Sequence, residues 1–205
     1  MPEPGARSDS ADAARDDATV LVVEDERALA ALYEEWLADE YEVRTAHAGR
    51  DALDRLDDAV DVVLLDRRLP GLSGREVLGE IRDRGDSCQV AMVTAVEPGV
   101  DVLEMGFDDY LTKPATRADV RRLVSALVDR KQYDVCVQRY FRLLSKRAAL
   151  EREHGDLADR PEYDDLRADI AAIEAELGGL VEEFSVADFD AQFRSLPSAS
   201  GAADD

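Results

Sequence analysis

Several features that would place this chain in a simple structural class are scarce or absent. Its 205 residues include only two cysteines, and Cys88 and Cys136 lie too far apart in sequence to suggest a disulfide framework, which favours an intracellular protein. No run of 18 apolar residues occurs, so a membrane-spanning helix is not expected. The first residues lack the apolar stretch of a signal peptide, and the absence of a glycine-rich Walker loop excludes a P-loop GTPase. We therefore predict a cytoplasmic protein.

Lysine is scarce as well, and acids dominate the charge. There are 3 Lys and 22 Arg against 29 Asp and 18 Glu, and the formal net charge is -22. This balance excludes a basic surface over the whole molecule for nucleic acid and broad attraction to an anionic membrane. Self-repulsion of this size is tolerable where salt screens it, since the Debye length falls to about 3 Å near 1 M salt. The composition predicts a halophilic protein in a salt-rich cytoplasm; an acidic protein from an ordinary cytoplasm is the alternative.

Apolar runs and helical patterns alternate between residues 19 and 130. Residues 1–18 are acidic and lack periodicity, and we predict a disordered tail there. Five short segments predict strands: 19–23, 41–45, 60–65, 89–93 and 109–112. Helical patterns separate them, including a short predicted helix at 97–105, and a longer helix begins near Thr116. The alternation predicts an α/β fold, a doubly wound five-stranded parallel sheet with helices on both faces.

Polar residues follow four of the predicted strands where these strands end. They are Glu24 and Asp25, Asp66, Thr94, and Lys113. Taken singly, the carboxylates have ordinary explanations as helix caps or turn residues. Because the carboxyl ends of parallel strands share one edge of a sheet, we expect all five side chains to converge. Crowded carboxylates need a cation between them, an all-oxygen ligand set suits Mg²⁺, and Lys and Thr suit phosphoryl oxygens.

Four segments in this order resemble the receiver domain of two-component response regulators, which has the CheY-like, flavodoxin-like fold. They are Val22-Val23-Glu24-Asp25-Glu26, the stretch from Leu64 to Gly74, Val93-Thr94-Ala95, and Asp108-Asp109-Tyr110-Leu111-Thr112-Lys113-Pro114. The resemblance covers residues 19–130. It implies that a sensor histidine kinase passes a phosphoryl group to this chain with Mg²⁺ as the cofactor, and that the protein is a phosphoacceptor and not an enzyme.

The resemblance also implies roles for individual residues. Asp66 is the implied phosphoacceptor, and Lys113 is implied to contact the phosphoryl group. The implied metal ligands are Asp25 directly, Asp66, Glu24 partly through water, and the backbone carbonyl of Arg68. Thr94 and Tyr110 are implied switch residues that move toward the site on activation. The Lys113-Pro114 peptide bond is expected to be cis.

Two departures from the family pattern concern signal output and not phosphoryl chemistry. Arg67 follows the acceptor where the family often has a bulky apolar residue. The stretch from Thr94 to Lys113 is a few residues shorter than usual, which shortens a helix that carries much of the switch surface.

A haloacid-dehalogenase-type phosphatase also phosphorylates an aspartate, but its acid catalyst, two residues after that aspartate, is a second Asp. Here that position is Arg68, which argues against this class.

Helical periodicity continues through residues 131–196. The helix that begins near Thr116 is predicted to run to about residue 152, because no Pro or Gly interrupts it, and Gly155 and Pro161 then mark a break. A heptad seam follows, which consists of Tyr163, Leu166, Ile170, Ile173, Leu177, Leu180 and Phe184. We predict an all-α helical hairpin or coiled coil that docks on a copy of itself or on a partner, because two helices alone have little core. A homodimer is the favoured alternative. A disordered tail is predicted at 197–205.

Charge differs between the two predicted helices. Basic residues dominate the first, and acids dominate from Glu151 onward. The basic residues of interest are Arg139, Arg142, Lys146 and Arg147. The interpretation that the sequence favours is that they pair with the acidic helix across the hairpin; the alternative is that they contact DNA phosphates. No helix-turn-helix, zinc-finger or winged-helix pattern occurs.

The order of the two parts resembles haloarchaeal response regulators that carry a HalX domain after the receiver. The residues that carry this resemblance are Phe107 to Leu111, Tyr163, and Phe189-Asp190-Ala191-Gln192-Phe193. It implies an output in transcriptional regulation, through DNA or the transcription machinery. A phosphorylation-gated adaptor that binds proteins and no DNA is the alternative. An enzymatic output is not expected, because residues 131–205 show no catalytic constellation.

Overall fold

A computed structural model describes residues 18–96, 105–153 and 160–194, and it describes side chains as far as residue 181 except that of Glu153. The strands are β1 (Thr19–Val23), β2 (Glu42–Ala46), β3 (Val60–Leu65), β4 (Gln89–Thr94) and β5 (Asp109–Thr112). The helices are α1 (Arg27–Leu37), α2 (Gly49–Arg55), α3 (Gly74–Arg84), α4 (Arg117–Glu153) and α5 (Pro161–Arg194). The chain divides into two compact units, one through Lys131 and one from Gln132.

The five strands form one parallel sheet in the order β2-β1-β3-β4-β5. The predicted doubly wound fold is therefore confirmed. Parallel neighbours need a crossover, and α1, α2 and α3 provide three of them. The order changes direction at β1, because the chain passes first outward to β2 and then back to β3. The carboxyl ends of β1 and β3 border this change, which is the usual place for a ligand in such sheets.

Alternate residues of the central strands face opposite sides of the sheet and build two apolar cores. On one side, Val20 and Val62 pack with α1 and the first part of α4. On the other side, Leu21 and Val63 pack with α2 and α3. Strands that are buried on both faces are apolar almost throughout, which explains the continuous apolar runs of β1, β3 and β4. Polar side chains are thereby largely confined to the strand ends.

The second unit consists of α4 from Gln132 onward and α5, and these helices run antiparallel. Three side-chain hydrogen bonds between them set the register: Cys136 to Glu176, Tyr140 to Glu174, and Tyr163 to Glu151. The buried core of this hairpin consists of Leu143, Leu166, Ile170 and Ile173. Part of the predicted heptad seam therefore faces α4, and α5 continues through Gly178 and Gly179.

Some predictions concern residues outside the described ranges. The short helix expected at 97–105 lies there apart from Met105, and the two expected tails lie there apart from Ala18. The side chain of Phe184 is also outside the described part. Among the helices that are described, none is both long enough and apolar enough to cross a bilayer.

We predict that Ile173→Ala loosens the hairpin selectively. Ile173 is 1% exposed in a small core, and removing its buried atoms should cost about 2–4 kcal/mol. Hydrogen exchange should accelerate in residues 132–153 and 160–181 and stay unchanged in β1, β3 and β4. Val181→Ala is the matched control, because Val181 is 52% exposed and its truncation should barely alter exchange. Equal acceleration in the sheet would contradict the prediction.

Candidate functional site

Lys113 lies between two carboxylates at the carboxyl edge of the sheet. Its Nζ donates to Glu24 Oε2 and to Asp66 Oδ2, each over 2.5 Å. These residues directly follow β1, β3 and β5, and the side chains of Glu24, Asp66 and Lys113 are only 4%, 9% and 13% exposed. The Lys113-Pro114 peptide bond is cis, as expected. The structure thus brings together three residues that are far apart in sequence.

Burial and pairing together set the protonation of this group. Burial raises the pKa of Glu24, because a buried carboxylate loses hydration, and the hydrogen bond from Lys113 only partly offsets this. Burial by itself lowers the pKa of Lys113, but its hydrogen bonds to Asp66 and Glu24 outweigh burial and raise that pKa. Lys113 is therefore held in its charged form.

Asp25 completes an acidic cluster beside this ion pair. Glu24, Asp25 and Asp66 each offer one carboxylate oxygen, and these oxygens lie within 4.8 Å of one another. Asp25 is exposed while the other two are buried, so a cation can approach from the side of Asp25. The donor set consists of oxygen alone, which fits a hard ion such as Mg²⁺ that keeps part of its hydration shell.

The backbone around Asp66 holds its carboxylate in place. The N–H of Arg68 donates to Asp66 Oδ1 over 3.0 Å, and the side chain of Arg68 is exposed. The role predicted for the Arg68 carbonyl as a metal ligand stays a prediction. At the start of α3, a Cβ added to Gly74 would lie 2.1 Å from the carbonyl oxygen of Asp66. Only glycine therefore permits this close approach of α3 to the acceptor strand.

Thr94 and Tyr110 lie on adjacent strands next to the site. Thr94 ends β4 and is fully buried, and its carbonyl accepts a hydrogen bond from the N–H of Lys113 over 2.9 Å. The N–H of Val96 donates to Thr94 Oγ1 over 3.4 Å, and the hydroxyl of Tyr110 donates to the carbonyl of Val96 over 2.5 Å. Val96 thus links the two residues that the family resemblance identified as a switch.

His47 belongs to this site and was not among the predicted site residues. It directly follows β2, is half-buried, and its Nδ1 lies 2.9 Å from the carbonyl oxygen of Glu24. Its backbone N–H donates to Asp51 of α2. An isolated histidine carries no motif. A signal for it did exist, because β2 was expected in the same sheet and His47 stands at its carboxyl end.

The four basic residues singled out on α4 lie in the second unit. Arg139, Arg142 and Lys146 are exposed, and Arg147 is half-buried. Arg147 pairs with Glu151 on the same helix over 3.8 Å. Within the side chains described up to residue 181, none of the four forms an ion pair with α5 within 4 Å. The polar contacts across the hairpin are made instead by Cys136 and two tyrosines.

Models of known protein families match both parts of the chain. The model of the response regulator receiver domain matches residues 20–137, and the model of the HalX domain matches residues 129–193. The chain belongs to the response regulator receiver family. A HalX domain follows its receiver domain, as the sequence predicted.

One relative and two solved structures illustrate the likeness. A protein of Haloferax volcanii named "Putative transcriptional regulator" is 48% identical over 159 residues, which is 77% of this chain and 27% of that protein. This chain therefore matches only about a quarter of that relative's length.

The solved structures are receiver domains. The signal receiver domain of a "putative Luxo repressor protein" from Vibrio parahaemolyticus is 30% identical with a TM-score of 0.53, over 58% of this chain and 96% of that one. A CheY-like receiver domain protein from Methanospirillum hungatei has a TM-score of 0.53 at 23% identity, over 57% of this chain and 98% of that one. The second likeness shows the fold alone.

We predict that Lys113→Met destabilises the receiver domain in a pH-dependent way. Without this ammonium, Glu24 and Asp66 are buried side by side, and the loss should be about 2–4 kcal/mol at neutral pH. The pKa of Glu24 then rises further, so the folded state takes up a proton at a higher pH than the unfolded state does. Stability is therefore lost as the pH rises through this folded-state pKa and recovers toward about pH 5. Urea unfolding midpoints at both pH values measure the effect.

The double variant Asp66→Asn with Lys113→Met is the control for this experiment. It removes one of the two carboxylates, so repulsion no longer opposes folding and part of the neutral-pH stability should return. A Lys113→Met variant whose deficit is the same at both pH values would show that lost packing, and not charge, is responsible.

Proposed function

We propose that this protein is a response regulator whose Asp66 accepts a phosphoryl group from a sensor histidine kinase in the cytoplasm. The bond between phosphorus and the kinase histidine nitrogen breaks, and a bond between phosphorus and a carboxylate oxygen of Asp66 forms. The histidine nitrogen keeps the electron pair and is protonated from solvent. The observation that carries this proposal is the Lys113 ammonium between Asp66 and Glu24 at the carboxyl edge of a receiver sheet.

Each residue of the acidic cluster has a task in this reaction. Asp25 and Asp66 would hold Mg²⁺ directly, with Glu24 partly through water and the Arg68 carbonyl as a further ligand, and the bound ion supplies positive charge against the incoming phosphoryl oxygens. Lys113 exchanges a carboxylate contact for a phosphoryl oxygen. The exposed position of Asp25 supports this assignment, because it leaves a route for both the ion and the donor.

Phosphorylation then acts on the next two strands. Thr94 moves toward the new phosphoryl oxygens, and this breaks its contact with the N–H of Val96. Tyr110 is hydrogen-bonded to the carbonyl of Val96, so a displacement of Val96 carries the Tyr110 ring with it. A charge change at Asp66 is thereby converted into a shift of the segment after β4, which is a local event with a distant consequence. The protein is a phosphoacceptor and not a classical enzyme.

The output passes through the HalX hairpin, which we propose forms a homodimer and regulates transcription. The family match and the name of the Haloferax volcanii relative support transcription. The exposed Arg139 and Arg142 support contact with DNA phosphates or with the transcription machinery. The second candidate is an adaptor that binds proteins only, and the net charge of -22 favours it.

We predict that a small phosphodonor modifies Asp66. Wild-type protein incubated with acetyl phosphate or phosphoramidate and Mg²⁺ should gain one phosphoryl group, seen by intact mass or gel shift, and EDTA should prevent this. Asp66→Asn should remain unmodified. For Asp25→Asn, the Mg²⁺ concentration that gives half-maximal modification should be at least about tenfold higher than for the wild type, because the substitution removes a metal ligand.

Asp58→Asn is the matched control for the acceptor. Asp58 is an exposed carboxylate just before β3, so its loss should leave the modification intact. Phosphorylation that persists in Asp66→Asn would contradict the assignment of Asp66 as the phosphoacceptor.

We predict that the activated protein enriches discrete genomic DNA fragments. The protein would be loaded with beryllofluoride in concentrated KCl, and captured fragments would be sequenced, with Asp66→Asn as the control. Site-specific enrichment that the control lacks supports a phosphorylation-gated transcription factor, and Arg139→Ala with Arg142→Ala should then weaken it. If the activated protein enriches no sites, the adaptor is favoured; sites that both proteins enrich equally would show DNA binding that phosphorylation does not control.

A further inference from the structure

A groove runs between α4 and α5 in the second unit, and its two sides carry opposite charge. The floor includes Leu143, Leu150 and Leu166. Lys146 lines the α4 side, and three acids line the α5 side: Glu162, Asp165 and Asp169. All four charged residues are exposed, so the groove is open to a partner.

The charges continue along each helix. Arg139, Arg142 and Lys146 recur at intervals of three and four residues, which places them on one stripe of α4. We call this stripe the basic wall. Glu162, Asp165 and Asp169 recur in the same way on α5, and we call them the acidic wall. All three residues of the acidic wall line the groove together with Lys146, and Arg139 and Arg142 extend the basic wall from Lys146 along α4.

The two walls are not neutralised within the hairpin. No ion pair within 4 Å joins the basic wall to the acidic wall among the side chains that the structure describes, and the described salt bridge on this part of α4 belongs to Arg147 and Glu151. Leu150, on the floor, is 37% exposed. The groove therefore presents partly open apolar surface between a basic and an acidic edge.

We propose that the groove is the surface at which a second copy of this chain docks. A two-fold axis parallel to the helices places each α4 over the partner's α5, so the basic wall of each copy meets the acidic wall of the other. An axis perpendicular to the helices places basic walls on each other. Charge complementarity therefore selects the second copy as occupant and also selects its orientation. This inference rests on the homodimer in the proposed function and specifies its interface.

The small apolar core of the hairpin also favours a second copy of the chain as the occupant of the groove. Among the described side chains, the buried cluster of the hairpin consists of Leu143 and three residues of α5, with four partly buried residues packed against it, which is little for two helices. A second copy over the groove covers Leu150 and adds a second apolar layer. DNA is a poorer occupant of this groove, because the acidic wall lies along it and repels phosphates. Contact between the basic wall and DNA competes with this interface, and charge-reversed variants separate the two.

Two charge-reversed chains test the interface. The first carries Arg142→Glu and Lys146→Glu, and the second carries Asp165→Lys and Asp169→Lys. In a homodimer of either variant, both contacts between an α4 wall and an α5 wall join like charges. This should weaken dimerisation about tenfold or more. Mixed together, each reversed wall meets an opposite one, so the heterodimer should form with about the wild-type affinity. Sedimentation velocity of full-length chains in about 1 M KCl measures this, at a salt concentration where only close charges still interact.

Phe141→Ser is the matched control. Phe141 is 62% exposed on α4 and does not line the groove, so this variant should dimerise as the wild type does. Circular dichroism of every variant establishes that the helices are intact. Heterodimers from two variants that are monomeric alone are the expected result.

Three other outcomes overturn the inference. If the reversed chains dimerise normally, the homodimer stands but its interface lies elsewhere, and loss of dimers in Phe141→Ser would locate it. If the wild type is monomeric, the homodimer itself is wrong, while phosphorylation of Asp66 is unaffected. If the first variant no longer captures DNA but dimerises as the wild type does, the basic wall contacts nucleic acid and not a second copy.

Discussion

Two buried carboxylates at the carboxyl edge of the sheet are held together by one ammonium group. Glu24 and Asp66 repel each other in a region shielded from water, and Lys113 offsets both charges at once. The three residues extend from β1, β3 and β5, and β5 joins the sheet only through β4. The arrangement therefore exists only when four strands are paired in register. The apolar cores on both faces stabilise that register, so the chemistry of the site depends on the whole receiver fold.

The same electrostatics leave the site responsive. Asp25 adds a third carboxylate that Lys113 does not contact within the described hydrogen bonds, so the cluster keeps a negative excess on its exposed side. In the proposed function, that excess would attract Mg²⁺, and the ion would then neutralise part of the carboxylate charge that Lys113 offsets alone. Val96 links Thr94 to Tyr110. In the proposed reaction, a new charge on Asp66 therefore shifts contacts that already join these elements.

Much of this arrangement was predictable, because buried parallel strands are apolar and their ends are marked by the first charged residue. Glu24, Asp66 and Lys113 were found in that way. Gly74 and His47 were harder, since the first matters through one close approach to a backbone oxygen and the second through one contact, and neither distance has a local signature. In the hairpin, charge alone favoured direct pairing of the helices. Among the described side chains, polar contacts across the hairpin are made instead by Cys136 and Tyr140 to acids of α5 and by Tyr163 to Glu151 of α4.

Lysine is nearly absent from this acidic chain, and its positions follow from geometry. Lys113 and Lys131 are only 13% and 14% exposed, and Lys131 reaches both Asp61 and the carbonyl of Val60. A compact ammonium with three rotatable donors fits between acceptors in different directions, whereas a planar guanidinium needs coplanar acceptors and more room. Arginine, with 22 copies, makes more exposed pairs, such as Arg55 with Asp51, and the partly exposed pair of Arg82 with Asp108. The remaining lysine, Lys146, is exposed, and it lies in the groove where a compact charge can approach a facing acidic wall.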